Sequence, residues 1–307
     1  MRLCIVYLLS VCYARTPPKR INSPNNPFNY VESFKRQKRM SMTLAPEPLV
    51  KEIYTYLAYA ALAYCETAIR SKSKLLTLHK KINDPLTQTH AQIYINKKDM
   101  EIIVAFRGSH NFFKIKDAYD DTKDKLANVS GPLVNRNAQV YALSIQRPLT
   151  EAIARLRRSK PGYRIVLVGH SLGGSLATLM APILANATKI PIPKFRIFTF
   201  GQPRVGDQAF VDYFNNLHFN FTRVVNKDDP VPDHPSSSKG WAHVHQEVYI
   251  DDDNLFYLCH NEHLQCSFRK SNTLAFFYSH SKLANITINS KSRQYHLSKF
   301  LTCQPTH

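Results

Sequence analysis

YRIVLVGHSLGGSLATLM, residues 163–180, joins an apolar run to an alanine- and leucine-rich run through a serine flanked by glycines. The β-branched and apolar residues within 164–168 predict a buried strand, and residues 172–187 predict a helix. Between them, Gly169-His-Ser-Leu-Gly173 fits a nucleophile elbow, a turn that lifts a serine hydroxyl out at the end of a strand. The alternative interpretation is a tight turn without chemistry.

Two other predicted strands end in the same kind of glycine-containing turn. Arg107-Gly-Ser109 follows the run Met100–Phe106, and Gly201-Gln-Pro203 follows the run Lys194–Phe200. Six of the 9 glycines in the chain lie in or beside the three turns, namely Gly108, Gly169, Gly173, Gly174, Gly201 and Gly206. Because ligands bind beyond the carboxyl ends of strands in open α/β sheets, we expect a site where these turns meet.

Helix and strand patterns alternate along the chain. Helices are predicted at Pro48–Cys65, at Thr150–Arg158 and from the cap Asp207 to Leu217, and further strands at Ala91–Ile95, Phe221–Val225 and Glu247–Ile250. This alternation predicts an α/β fold, with a mostly parallel central sheet and helices on both faces. The sequence contains no internal repeat.

The first 39 residues differ from the rest in composition. Residues 1–14 combine Arg2, a short apolar run and the small residue Ala14, which is typical of a secretory signal peptide and too short to span a bilayer as a helix. Residues 15–39 are polar and rich in proline, and end in a basic cluster of the kind that furin-type convertases cleave. They predict a propeptide or a basic linker, and the folded domain is expected over residues 40–307.

The formal net charge of +19, with 44% hydrophobic residues, describes a basic but globular protein. In a secreted, extracellular protein this charge favours anionic lipid surfaces or glycans over nucleic acid. Four cysteines remain after the signal peptide, and they predict two disulfides with three possible connectivities: Cys65, Cys259, Cys266 and Cys303. Glycosylation sequons at Asn128, Asn186, Asn220 and Asn285 agree with the secretory route.

A serine nucleophile needs a base, and the base needs an orienting carboxylate. In the elbow class the chain order is serine, acid, histidine. Asp228 and Asp229 follow the predicted strand Phe221–Val225 and are both candidates for the acid, whereas the 13 histidines leave the base open. Leu172, directly after the serine, is expected to donate its backbone N–H to an oxyanion.

Four motifs together resemble the fungal-type class 3 triacylglycerol lipases, a branch of the α/β-hydrolases, over roughly residues 48–303. They are Phe106-Arg-Gly-Ser109, Gly169-His-Ser-Leu-Gly-Gly174, Phe200-Gly-Gln-Pro-Arg-Val-Gly-Asp207 and Asn226-Lys-Asp-Asp-Pro-Val-Pro232. The resemblance implies a serine hydrolase that cleaves lipid esters through a Ser-His-Asp triad and an acyl-enzyme. It implies no cofactor, no metal, no transmembrane segment and a transient contact with the lipid–water interface.

The resemblance also implies the roles of single residues. Ser171 is the nucleophile, and Asp229 is the acid because the family's Asn-x-x-Asp-x-Val-Pro falls on residues 226–232; Asp228 is the reserve. Ser109 adds a second oxyanion donor.

His280 is the implied base, because Ser279-His280 resembles the segment after the family's disulfide hairpin. Ser279 and Leu283 replace the family's Asp and Tyr there. The alternatives for the base are His260, His263 and His296. The implied disulfides are Cys65–Cys303 and Cys259–Cys266, the second closing that hairpin.

Three further features qualify this interpretation. Phe112, Ile115 and Tyr119 share a helical face where the family carries its lid, and core packing is the alternative reading of that spacing. Residues 135–138, Asn-Arg-Asn-Ala, replace the family's His-x-Gly-Phe turn. His243-x-His245 suggests a metal, but the sequence offers no third ligand.

Other functions stay open at this point. A carboxylesterase or a phospholipase would use the same triad on other esters. A secreted lipid-binding relative that kept the fold and lost turnover belongs to a different class of protein.

Overall fold

A nine-stranded sheet organises the protein. The computed structural model describes residues 42–65, 69–71, 74–109, 121–244, 246–259, 280, 282–283, 286–287 and 301–303. The predicted signal peptide, the propeptide or linker and the proposed lid residues therefore lie outside the described residues.

The described residues contain four α-helices: α1 (Glu47–Leu62), α2 (Arg136–Ser159), α3 (Leu172–Thr188) and α4 (Gln208–Asn216). Their strands are β1 (Thr43–Leu44), β2 (Ile69–Ser71), β3 (Leu76–Asp84), β4 (Thr89–Asn96), β5 (Glu101–Phe106), β6 (Lys123–Lys125), β7 (Leu133–Asn135), β8 (Arg164–His170), β9 (Phe195–Phe200), β10 (Asn220–Asn226), β11 (Glu247–Ile250), β12 (Phe256–Cys259), β13 (Lys282–Leu283), β14 (Ile286–Thr287) and β15 (Leu301–Cys303).

The large sheet has the strand order β1-β12-β11-β10-β9-β8-β5-β4-β3. The five central strands, from β5 through β8, β9 and β10 to β11, run parallel to one another. Antiparallel strands extend the sheet on either side of them. All carboxyl ends of the parallel strands therefore lie at one edge, hereafter the carboxyl edge, and their starts lie at the opposite, amino edge.

The two faces of the sheet are covered by different helices because strand side chains alternate in direction. Ile102, Val104 and Phe106 of β5 pack with residues of α2, α3 and α4 in one core cluster. Ile103 and Ala105 pack on the other face with α1. Each fully buried Leu, Ile or Phe contributes about 1.5–3 kcal/mol. The predicted α/β fold with helices on both faces is confirmed.

Helix α2 is longer than the predicted helix Thr150–Arg158. Its first 14 residues, about four turns, were not predicted, and Pro148 lies inside it, where a proline removes one backbone hydrogen bond. Asn135 caps its start, since the Asn135 side chain accepts a hydrogen bond from the Ala138 N–H at 2.8 Å. The departure from the family's turn at residues 135–138 thus supplies a helix cap.

A small ladder ties the end of the chain to the segment after α1. Strand β15 pairs antiparallel with β2, and Cys303 lies opposite Ile69. Cys65 and Cys259 are both disulfide-bonded. The side chains of Cys266 and Cys303 lie outside the described residues, so the pairings Cys65–Cys303 and Cys259–Cys266 stay predictions.

Candidate active site

The serine elbow is built by the junction of β8 and α3. Ser171 stands between them with φ 57° and ψ −130°, a conformation that a non-glycine residue adopts only when its surroundings enforce it. A Cβ at Gly169 would collide with the backbone of Gly173. The Ser171 N–H donates to the Phe200 carbonyl at 2.9 Å, which fixes the elbow against β9.

The candidate acid lies in the turn after β10. The Asp229 carboxylate is buried and accepts a hydrogen bond from the Val231 N–H at 2.9 Å. The Asp229 N–H in turn donates to the Asn226 carbonyl at 2.9 Å. Asp228 is half-exposed. The turn therefore directs Asp229, rather than Asp228, toward the interior.

His280 lies against this carboxylate. Its Nδ1 is 2.9 Å from one Asp229 oxygen and 3.1 Å from the other, and its side chain is 3% exposed. Because an ionised carboxylate only accepts hydrogen bonds, Nδ1 carries the hydrogen. The neutral ring then has its lone pair on Nε2.

Gly201 allows the acid and the imidazole to meet beside the elbow. It has φ +54°, and a Cβ there would lie 2.7 Å from Asp229 Oδ2 and 3.1 Å from His280 Nδ1. Since its neighbour Phe200 accepts the hydrogen bond from Ser171, the serine, the acid and the histidine all border the end of β9. Any side chain at this position would push the pair apart.

The turn after β5 packs directly on the elbow. A Cβ on Gly108 would collide with the Tyr64 hydroxyl and would lie 2.6 Å from the His170 carbonyl oxygen. Ser109, half-buried, follows this glycine. Leu172 is the first residue of α3, where backbone N–H groups have no acceptor within the helix. The two predicted oxyanion donors thus flank Ser171.

Two buried residues of the site were not given a role by the sequence, His170 and Tyr64. His170 Nδ1 is 2.9 Å from the Tyr64 hydroxyl, and His170 Nε2 is 2.9 Å from the carbonyl oxygen of His280. The partners are 106 and 110 residues apart in the chain, so no local pattern could have revealed these contacts.

A buried polar cluster supports the turn that carries Asp229. His243 Nε2 donates to the Pro232 carbonyl at 2.8 Å, and burial, together with Arg223 and Arg204, holds the pKa of His243 well below its usual value. Burial raises the pKa of Asp233 to about 6, with nearby Asp229 acting in the same direction and Arg204 opposing it.

The other histidines that the sequence offered as a base or a metal ligand lie mostly outside the described residues. His245, His260, His263 and His296 lie outside the described residues. Within the described ranges, no group of three or more His, Cys, Asp or Glu side chains could hold a metal ion. No helix of the described part of the chain is both long and apolar enough to cross a membrane.

The family described as Lipase (class 3) has a model that matches residues 103–239. A lipase of Rhizomucor miehei is 26% identical over 215 residues, which cover 67% of this chain and 59% of the relative. The secreted mono- and diacylglycerol lipase 1 of Fusarium solani is 30% identical over 155 residues, 50% of this chain and 45% of the relative. The chain thus spans about half the length of the relatives it matches.

The fold is also similar to the folds of solved lipase structures. The lipase propeptide complex of Rhizomucor miehei has a TM-score of 0.73 at 25% identity, with 80% of this chain and 84% of that chain covered. The lipase of Rhizopus microsporus var. chinensis has a TM-score of 0.73 at 26% identity, with 81% and 91% covered.

Proposed function

We propose that the chain belongs to the class 3 lipase family, to which residues 103–239 are similar, and that it is a secreted serine hydrolase that cleaves carboxylic esters of lipids. The proposal depends above all on one contact, that of His280 Nδ1 with both oxygens of Asp229, at 2.9 and 3.1 Å. This pair lies beside Ser171 on its strained turn. A carboxylate, an imidazole and a serine, all buried at the carboxyl edge of the sheet, are the parts that nucleophilic catalysis requires.

In the proposed mechanism, Ser171 Oγ attacks the ester carbonyl carbon while His280 Nε2 takes the hydroxyl proton. Asp229 stays ionised, holds the hydrogen on Nδ1 and stabilises the imidazolium. The imidazolium then gives its proton to the leaving alkoxide as the ester bond breaks. Water, deprotonated by His280, attacks the acyl-enzyme and releases the fatty acid, which regenerates the Ser171 hydroxyl.

The mechanism also requires donors for the negative charge that develops on the carbonyl oxygen, and the start of α3 is the proposed place for them. There we propose that the backbone N–H of Leu172 and a donor of Ser109 bind it. A donor of this kind typically lowers the barrier by about 3–4 kcal/mol. No cofactor or metal takes part in these steps.

Secretion is proposed from several observations. Residues 1–14 have the pattern of a signal peptide, and Cys65 and Cys259 are disulfide-bonded, which an oxidising compartment favours. The relative from Fusarium solani is named a secreted enzyme. Because a similar lipase was solved with its propeptide, we assign residues 15–39 as a propeptide of this chain.

The proposed substrates are acylglycerols at a lipid–water interface. This choice rests on the names of the relatives, a lipase and a mono- and diacylglycerol lipase. The basic charge of +12 on residues 40–307 supports contact with a surface that carries anionic lipid.

The experiment begins with an alkyl phosphonate, which modifies an activated serine, and locates the adduct by mass spectrometry. We expect the adduct on Ser171. We expect Ser171→Ala to lose about a million-fold in turnover of a soluble ester, because the nucleophile is gone. Ser175→Ala, one turn further along α3 and equally buried, is the matched control and keeps its turnover.

Turnover retained by purified Ser171→Ala, or an adduct on another residue, would overturn the proposal. Hydrolysis of emulsified triacylglycerol, of phospholipid vesicles and of the soluble ester then separates a lipase from a phospholipase or a carboxylesterase. Lipid binding without any turnover would identify a non-catalytic relative.

A further inference from the structure

His170, between Gly169 and the proposed nucleophile, is enclosed by two partners from distant parts of the chain. Its side chain is buried, and its ring lies 4.5 Å from the ring of His280 at an interplanar angle of 33°. One ring nitrogen faces the hydroxyl of Tyr64, just after α1, and the other faces the backbone carbonyl of His280, each at 2.9 Å.

These partners determine where the proton of His170 resides. The His280 carbonyl can only accept a hydrogen bond, so His170 Nε2 carries the hydrogen and donates it. A neutral imidazole has one N–H, so Nδ1 accepts a hydrogen bond from the Tyr64 hydroxyl. Both contacts therefore favour the same tautomer.

Burial, and then the nearby His280, hold the pKa of His170 well below its usual value. Its ring is thus neutral where the proposed base works. That matters because a second cation stacked on His280 would oppose proton uptake by Nε2 of that residue. A neutral donor can hold the base without this penalty.

His280 is in this way fixed at two points. Asp229 holds its ring through Nδ1, and His170 holds its backbone through the carbonyl oxygen. The contact with Asp229 orients the imidazole ring, and the contact with His170 fixes the main chain that carries it. A misplacement of about 1 Å in such a group can cost about a hundredfold in rate.

We infer that His170 and Tyr64 are positioning residues for the base. Tyr64 orients His170, and His170 binds the main chain of His280 so that Nε2 faces Ser171. The inference rests on the proposed function, since it assigns His280 as the base. His170 thus has a role in positioning the base in addition to its place in the elbow turn.

The test uses two amides that imitate different nitrogens of the imidazole. In His170→Gln the side-chain amide nitrogen lies near the place of Nε2 and can still donate to the His280 carbonyl. In His170→Asn the shorter amide reaches only the place of Nδ1. We expect His170→Asn to lower kcat on a soluble ester about 10- to 100-fold with KM changed less than about twofold.

His170→Gln should keep kcat within about fivefold of the wild type, because the amide still donates a hydrogen bond to the His280 carbonyl. Equal losses in the two variants, or no loss in either, would overturn the inference. Tyr64→Phe removes only the outer hydrogen bond and should lower kcat about three- to tenfold. Tyr59→Phe, in the preceding helix and packed edge-on against Tyr94, is the matched control without an effect.

A readout without turnover uses the full chain with ¹⁵N-labelled histidine. We expect NMR to show His170 as the neutral Nε2–H tautomer from about pH 5.5 to about pH 8, and a Nδ1–H tautomer would overturn the inference. The proposed function fails separately, when Ser171→Ala keeps the turnover of the wild type. If turnover depends on Ser171 but is the same in His170→Gln and His170→Asn, the positioning role is refuted and the proposed function stands.

Discussion

Buried ionisable groups lie at both edges of the sheet, but they are paired in different ways. At the amino edge, Glu101 begins β5 and Arg164 begins the neighbouring strand β8. Glu101 accepts hydrogen bonds from Tyr56 of α1 at 2.7 Å and from Arg164 at 3.0 Å. At the carboxyl edge, Asp229 faces the imidazole of His280 at 2.9 Å.

The difference lies in what the partner can do. Arginine stays protonated under all ordinary conditions, so Arg164 cannot take a proton from a substrate or return one. Histidine exchanges its proton near neutral pH, so a similar buried carboxylate at the carboxyl edge can support acid–base chemistry. Burial alone therefore does not identify a catalytic carboxylate; the partner does.

Among variants of the two buried carboxylates, the largest expected effect comes from Asp229→Asn. The amide of Asn can donate to His280 Nδ1, which would move the hydrogen to Nε2 and remove the base. We expect a loss of about 10⁴-fold in kcat on a soluble ester, with the midpoint of urea unfolding little changed. Asp228→Asn is the neighbouring comparison, and a larger loss in that variant would assign the acid to Asp228.

At the amino edge the expected effect is on stability. Glu101→Ala leaves the buried Tyr56 hydroxyl without its acceptor and opens a cavity, so we expect about 2–3 kcal/mol of lost unfolding free energy. Arg164 is 43% exposed and can turn to water, which limits the loss. Glu101→Gln keeps the acceptor and should lose less.

Chemical denaturation of both variants, together with their turnover at a temperature where they are folded, is the measurement. The comparison between the edges predicts unchanged kcat for the folded Glu101→Ala protein. A fall in kcat as large as that of Asp229→Asn would show that the two edges are not separate in function.

The smallest expected effect concerns pH. The pKa of His170 and that of His243 lie well below 6.5 in the folded protein, mainly because of burial. The unfolded chain therefore binds protons that the folded chain does not, and stability falls as pH drops below about 6.5. Each histidine contributes at most about 1.4 kcal/mol per pH unit.

Asp233 acts in the opposite sense, because its pKa is raised from 3.8 to about 6 and the folded form holds its proton more tightly between these values. Urea unfolding between pH 7 and pH 5.5, followed in the wild type and in His170→Gln, separates the contributions. We expect a shallower decline in the variant; an identical decline would show that His170 titrates as it does in the unfolded chain.

The sequence predicted the parts of this molecule that depend on short motifs. The serine elbow and the strands β8, β9 and β10 were found because glycine spacing and β-branched runs are local signals. Part of α2 was missed, because its first turns are polar and a proline interrupts its pattern. The polar strand β3 was also missed, since its burial does not alternate cleanly.

The base was harder to predict for a physical reason. His280 meets Asp229 across 51 residues and His170 across 110, and sequence spacing carries no information about such contacts. Only the resemblance to a family could single it out among 13 histidines. The proposed role of Tyr64 has no signal in the sequence, because its hydroxyl reaches His170 only after the fold brings the end of α1 against the elbow.

The late position of His280 in the chain has a consequence for biosynthesis. The five parallel strands are complete at Ile250, and His280 follows 30 residues later. At about 5–20 residues per second, the ribosome needs roughly 2–6 s to add those residues. Under the proposed mechanism and the proposed secretory route, a nascent chain that has already folded its sheet holds a serine and a carboxylate without a base, and cannot hydrolyse the lipids of the membrane beside which it is made.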